Sequence, residues 1–242
     1  MKVLALDTSN KQLTVAILDD DQILATETTT VHQKHAEYLL PIIDELVRKT
    51  DLKPTDLQRI VVATGPGSYT GIRIATATAK TLAFTLGIEL VGVSSLETLA
   101  LNVSKKESLV MPIFDARNNN VFTGLYEIKD DGVTTVLEDR HTDFDKWLDQ
   151  IDNDGKNVYA IGADAKNFEE ALTNKFGDKL VFMDSFDNLP QAARLGLYGQ
   201  TKEPVKDIHS FVPNYLRLTK AELDWREKHP GEEVTSYVEK VD

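Results

Sequence analysis

The run Gly65-Pro66-Gly67-Ser68-Tyr69-Thr70-Gly71-Ile72-Arg73 constrains this chain more tightly than any other stretch. Three glycines and a proline in seven positions demand a turn with unusual φ values and close backbone approach. The apolar residues before it, Arg59 to Thr64, read as a buried strand, and Ile72 to Leu86 after it read as a helix rich in small side chains. Strand, glycine-rich turn and helix N-terminus together form a natural anion cradle, since free N–H groups and the helix dipole point into the turn. The spacing is not the Walker pattern, because no Gly-Lys-Ser/Thr follows. Nor is it a dinucleotide fingerprint, because three short strand-like runs come first. Two readings stand: a phosphate site, with Asp7, Ser9, Gly65, Gly67 and Ser68 as its vestigial corner, or a purely structural strand-to-helix corner.

Around this turn the chain reads in order. Lys2 to Asp7, Leu13 to Leu18 and Ile23 to Thr28 are extended runs joined by short polar links, as in an antiparallel meander. Helical spacing follows from His35 to Lys49, with Pro41 predicting a kink or a start near that residue. After the glycine-rich turn and its helix come a strand at Glu89 to Val93 and a short helix capped by Ser94. The same order then recurs: strands at Leu109 to Phe114, Val121 to Ile128 and Val133 to Glu138, and a helix at Phe144 to Gln150. A strand at Asn157 to Ile161, a helix at Lys166 to Lys175, a strand at Leu180 to Phe182 and a helix at Gln191 to Gln200 complete it. This βββαβαβα pattern repeats at roughly 105 residues and predicts a two-lobed α/β fold of the actin-like type, with duplicated mixed sheets and helices on their faces. The expected division is a first lobe at 1–105, a second, smaller lobe at 106–205, and a C-terminal segment at 206–242. In that last segment Thr219-Lys220-Ala221-Glu222 forms a capping box for a helix from Lys220 to about Lys228.

Charge narrows the function. Acidic residues outnumber basic ones by 39 to 27, a net charge of −12, which opposes autonomous binding to nucleic acid. Cysteine is absent, removing thiol catalysis and thiolate metal sites. No apolar run approaches the roughly 20 residues of a membrane span, and no signal-peptide pattern opens the chain, so a cytoplasmic location is expected.

Each candidate site has a plain structural alternative. Asp7-Thr8-Ser9 ends the first strand, where an aspartate and hydroxyls could face a metal-bound phosphate or simply cap a turn. A working nucleotide site also needs a matching aspartate in the second lobe; Asp115 occupies that place, but Ala116-Arg117-Asn118 stand where a glycine turn is wanted. Gly162-Ala163 offers a single glycine where a pair is expected for adenosine. His32 and His35 make half a metal site and lack further ligands. Nuclease chemistry lacks clustered carboxylates, and no serine sits in a G-x-S-x-G elbow. In the helix after the turn, Ile72, Ala75, Ala79, Leu82 and Leu86 suit packing on a sheet, whereas Arg73, Ala77, Thr81 and Phe84 line another face. The first helix adds Leu39, Ile42 and Leu46 beyond its sheet-facing set. This surplus apolar surface reads as a partner interface or as a thick core.

Leu4-Ala5-Leu6-Asp7-Thr8-Ser9, His35-Ala36-Glu37 with Leu40-Pro41, and the glycine-rich run through Ile74 resemble the bacterial TsaB family, also called YeaZ. So do Ala79-Lys80, Val93-Ser94-Ser95-Leu96, Asp115-Ala116-Arg117 and Pro213-Asn214-Tyr215-Leu216-Arg217. Tyr69 stands where that family often has phenylalanine, and the residues after Trp225 match nothing in it. The resemblance implies an actin-like fold and a non-catalytic scaffold role, without a cofactor of its own, in forming N6-threonylcarbamoyladenosine in tRNA. It implies pairing with the catalytic homologue TsaD, docking of the ATPase TsaE, and contact with tRNA only through the complex; homodimer and monomer both stand for the chain alone. The alternative is an autonomous ATP-dependent kinase or ATPase of the same fold.

Overall fold

The computed structural model of the 242-residue chain describes residues 1–30, 34–130 and 132–217. His32, the expected capping box at 219–222, the helix it would start and the residues after Trp225 lie outside them. Strands β1 (Lys2–Asp7), β2 (Gln12–Asp19), β3 (Gln22–Thr30), β4 (Arg59–Ala63) and β5 (Glu89–Val93) form one sheet in the order β3-β2-β1-β4-β5. Strands β6 (Ser108–Asp115), β7 (Asn120–Lys129), β8 (Gly132–Asp143), β9 (Val158–Ile161) and β10 (Leu180–Phe182) form the second, in the order β10-β9-β6-β7-β8. In each sheet three strands run antiparallel and the last two join in parallel, so the two halves share one topology.

Burial explains the strand sequences. β1, β2 and β4 are covered on both faces and read as nearly unbroken apolar runs, while β3 at the edge alternates and carries threonines. Helices α1 (His35–Lys49) and α2 (Tyr69–Leu86) cover one face of the first sheet, meeting Leu4, Leu6, Ile17 and Val62. Ser68 caps α2 by accepting from the Gly71 amide at 3.3 Å, and Gly87, at φ 67°, ends it in the left-handed conformation. Helices α4 (Phe144–Asp149) and α5 (Glu169–Phe176) cover one face of the second sheet around the fully buried Trp147.

The remaining two helices cross between the halves. α3 (Ser95–Ala100) follows β5 directly, yet Leu96, Leu99 and Ala100 pack against Val110, Phe114 and Tyr126 of the second sheet. α6 (Ala192–Gly199) follows the second sheet, yet Ala192, Ala193 and Leu195 pack on Val3, Ala5 and Val61 of the first. The sequence division at residues 105 and 205 puts each of these helices in the other half from the sheet it covers. A Cβ on Gly199 would overlap the Val61 side chain, so α6 lies flush on β4. The buried Arg59 guanidinium closes this junction, donating to the carbonyls of Gly199, Gln200 and Lys202 at 2.9–3.1 Å and pairing with Glu89 at 2.6 Å. Two of these carbonyls, of Gly199 and Gln200, lie at the C-terminus of α6, where a helix leaves acceptors outside its own ladder.

Some boundaries differ from the sequence expectation, although those of α1 do not. α1 spans His35–Lys49 as its spacing predicts and does not start late at Pro41, because the carbonyl that Pro41 leaves unpaired belongs to the exposed Glu37 and can face water. α2 begins at Tyr69, since Ser68 supplies its cap. β8 continues past Glu138 to Asp143, paired with β7 despite its polar sequence. Among the described residues no helix is long and apolar enough to cross a membrane. A Gly199→Ala substitution should force α6 away from β4 and cost about 1–3 kcal/mol, read as a lower urea midpoint at unchanged slope.

Candidate functional site

The glycine-rich turn packs directly on the end of β1. Ser68 N donates to the Ser9 carbonyl at 2.8 Å, and Thr8 Oγ1 donates to the Gly71 carbonyl at 2.8 Å. A Cβ on Gly67 would overlap the Ser9 carbonyl oxygen, and one on Gly71 the Thr8 carbonyl oxygen. The Gly65 amide donates to Ser95 Oγ at 3.0 Å, and Ile72 N to the Ser68 carbonyl at 2.9 Å. The amides of Gly65, Ser68, Gly71 and Ile72 are therefore engaged within the chain. Asp7, Ser9, Gly67 and Ser68 lie together, and Gly65 joins them through the same loop. What fills the corner is the backbone of Thr8 and Ser9.

Asp7 lies beneath that contact, shut off from solvent. One carboxylate oxygen accepts from Ser9 N at 2.7 Å; the other, Oδ2, has no hydrogen-bond partner among the described residues, and neither has His35 Nε2 at the first position of α1. Burial pushes the Asp7 carboxyl above its ordinary value. The Ser9 amide opposes this, as do the Ser9 hydroxyl, which lies outside good hydrogen-bond geometry, and the charge of His35. Among the described residues no three His, Cys, Asp or Glu side chains converge as metal ligands.

The second half repeats the corner in altered form. Asp115 ends β6 and accepts from Arg117 N at 2.7 Å, as Asp7 does from Ser9 N, but Asp115 is exposed. Gly162 N donates to Asn188 Oδ1 at 2.9 Å, the counterpart of Gly65 N on Ser95. Where a glycine turn was wanted, Arg117, Asn118 and Asn119 all take left-handed φ values of 69°, 53° and 57°. A cleft of about 390 Å³ separates the two corners, with Ser9 and Gly67 on one wall and Asp115, Arg117 and Asp164 on the other.

α2 presents a second feature. Tyr69 (47% exposed), Arg73, Ala77 and Phe84 (61%) form an exposed stripe, whereas Ala79, two residues from Ala77, is fully buried. Leu39, Ile42 and Leu46 of α1 are not part of any surplus surface. All three are buried in the chain's own core, because α1 lies across β2 with a wide apolar face; the large hydrophobic side chains that α1 exposes are Tyr38 and Leu40 instead. The sequence reading also missed residues 205–217, which run beside the α2 stripe. Lys80 Nζ donates to the carbonyls of His209 and Phe211 at 2.6 and 2.9 Å, Phe84 meets the His209 ring edge-on at 5.0 Å, and Tyr69 lies 5.0 Å from Tyr215. A groove of about 280 Å³ remains between α2 and this segment, lined by Ala77, Thr81, Phe84, Ile208 and His209.

Two sheets of one topology, helices on both faces and a cleft between the halves define a two-lobed actin-like α/β protein. The ethanolamine utilization protein EutJ from Carboxydothermus hydrogenoformans shares the fold at TM-score 0.51 and 14% identity, over 82% of this chain and 90% of that one. YeaZ from Pseudomonas aeruginosa superposes at TM-score 0.75 with 25% identity, over 89% of this chain and 99% of that one. The chain is 39% identical to the tRNA threonylcarbamoyladenosine biosynthesis protein TsaB of Bacillus subtilis, over 94% of this chain and 99% of that protein. The TsaB of Escherichia coli is 29% identical over 55% of this chain and 58% of its own length. The family model described as TsaD, tRNA N6-adenosine threonylcarbamoyltransferase, matches residues 22–225. The chain belongs to this family and, on the identity and coverage of its relatives, to the TsaB (YeaZ) group.

The Asp7 environment predicts a pH dependence. Its carboxyl ionises less readily in the folded chain than at the ordinary value of 3.8, so ionisation favours unfolding and stability falls as pH rises through that range. Asp7→Asn should be more stable than the parent near neutral pH, with the gap closing as pH falls towards about 4. Parallel urea titrations across that range measure the difference; a gap that widens on acidification contradicts the assigned burial effect.

Proposed function

We propose that this chain is a non-catalytic scaffold subunit in the formation of N6-threonylcarbamoyladenosine in tRNA, acting in the cytoplasm. It pairs with a catalytic TsaD homologue, and the pair recruits a TsaE homologue. The observation that carries the reading is the contrast between the chain's two prominent surfaces. Its glycine-rich corner is occupied by its own backbone, while the α2 stripe stands exposed. A group meant to hold a phosphate at Gly65–Gly71 would have to displace the Thr8–Ser9 contacts. We therefore read Asp7, Ser9, Gly65, Gly67 and Ser68 as a corner kept for structure, and Arg73, Ala77 and Phe84, with Tyr69 and Leu40, as the partner-binding set. Without the partner, the same stripe is available to a second copy. The names and lengths of the TsaB relatives support the pathway. The autonomous ATPase reading would need nucleotide to enter the cleft between the two corners.

Ala77→Glu tests the surface. A glutamate there adds bulk and an unpaired charge at a close helix crossing, and should weaken binding to the TsaD homologue about thirtyfold or more, roughly 2 kcal/mol, with little change in melting temperature. The same change at Ala79, which faces the sheet, should instead unfold the first half. Tight binding by a folded Ala77→Glu protein would show that the partner lies elsewhere.

Charge supplies a separate test. At a net charge of −12 the isolated chain should show no micromolar complex with tRNA near physiological salt, while the assembled complex should bind. Fluorescence anisotropy on the chain alone and on the complex measures both.

A further inference from the structure

A connected polar cluster outside the cleft lies where α3 passes between the halves. Asp139, in β8, reaches across Gly124 of β7, where a Cβ would stand only 2.5 Å from Asp139 Oδ1. Its two carboxylate oxygens have different partners: Oδ1 accepts from the buried Tyr126 hydroxyl and Oδ2 from the Ser94 hydroxyl. Tyr126 is held protonated, since burial and the neighbouring carboxylate push its ionisation far above the ordinary tyrosine value. Ser94 uses its hydroxyl in full. While donating to Asp139 it accepts from the amides of Leu96 at 3.1 Å and Glu97 at 3.3 Å, capping α3.

Ser94 directly follows β5 of the first sheet, whereas Asp139 and Tyr126 belong to the second. The first half holds α3 from its other side. Glu97 accepts from the Tyr198 hydroxyl of α6 and pairs with Lys202 at 3.4 Å, and Arg194 of α6 donates to the Leu101 carbonyl at 3.1 Å. The helix that joins the sheets is thus gripped by each of them through side chains whose bonds are satisfied.

We infer that Asp139 is a clamp between the lobes: by holding the Ser94 cap of α3 against β7 and β8 it fixes the angle between the two sheets, and with it the width of the cleft. Asp139 acts here as a positioning residue, through Ser94. Two hydroxyls bonded to one carboxyl in a desolvated place fix direction more closely than apolar packing alone, which tolerates sliding.

The chain has no cysteine, so spin labels can be placed at will. In the full-length protein, Thr55→Cys with Lys175→Cys reports the distance between the lobes, and Asp149→Cys with Lys175→Cys reports a distance within the second. Thr55, Asp149 and Lys175 are all exposed. Electron–electron double resonance should give one narrow inter-lobe distance for the parent. Asp139→Ala should broaden or shift it, leave the distance within the second lobe unchanged, and speed amide exchange in the first turn of α3 on the order of tenfold. Asp139→Asn keeps the volume but sets an N–H against one hydroxyl, so it should broaden the distribution less. Should the alanine protein fail to fold, the asparagine protein decides. An inter-lobe distribution identical to the parent in the folded variant overturns the clamp. A change of the same size within the second lobe also overturns it, because Asp139 would then be holding that lobe together.

Discussion

The contact between the Thr8–Ser9 backbone and the Gly65–Gly71 loop is the constraint on which the rest of the molecule depends. Two hydrogen bonds hold it, Ser68 N to the Ser9 carbonyl and Thr8 Oγ1 to the Gly71 carbonyl, each contributing on the order of 1 kcal/mol. Their number matters less than their geometry. Because neither Gly67 nor Gly71 has a side chain, two backbones lie in contact where most sequences would separate them. The N-terminus of α2 is thereby fixed to the end of β1, and the orientation of the whole helix follows. That orientation buries Ala75 and Ala79 and leaves Ala77 and Phe84 outward.

The two halves show how one topology has diverged. Each has an aspartate at the end of its first strand that accepts from the amide two residues on, and each has a glycine after its fourth strand whose amide meets a side-chain oxygen. In the first half the aspartate is buried under a glycine-rich loop and its corner is closed. In the second it is exposed, beside three non-glycine residues in the left-handed conformation. A left-handed φ costs roughly 1 kcal/mol for such residues, although Asn118 and Asn119 tolerate it better than Arg117.

Much of this was legible in the sequence because the strands and helices carry strong periods. The repeated strand–helix order was visible, and so was the separation of Ala77 from Ala79, since a helix turns about 200° in two residues. The fate of Leu39, Ile42 and Leu46 was not. Period shows which face of a helix is apolar but not how broad a surface will cover it, and the first core takes in Leu39, Ile42, Ile43, Leu46 and Val47 of α1 together. The crossing of α3 and α6 was hidden for a related reason, since neither helix carries in its sequence the identity of the sheet it will meet. Residues 205–217 have no period at all; they are held by scattered bonds to Leu90, Lys80, Thr64 and Ala116 and by Val205, Ile208 and Phe211 packing on the first core. Asp139 sits in a polar run that reads as a strand's end. Its one local signal was Gly124, a glycine inside a strand, which marks a close approach.

The state of the α2 stripe bears on what a partner would meet there. Its cations are already engaged: Lys80 is bonded to two backbone carbonyls, and Arg73 donates to the Tyr69 hydroxyl at 2.8 Å with its guanidinium 5.4 Å from that ring. Its aromatic side chains are paired as well, Tyr69 with Tyr215 and Phe84 with His209. Association usually loses free energy to ordering loose side chains and to stripping water from charges that end without partners. On this face both costs are reduced before any partner arrives, because Lys80 keeps its carbonyls and the rings are already restrained against neighbours. The small side chain of Ala77 at the centre leaves space for a partner's side chain beside Phe84 and Ile208. If a partner binds this face, its affinity would come from apolar contact and shape at a few central positions, with the −12 of the whole chain acting at longer range on which partners approach.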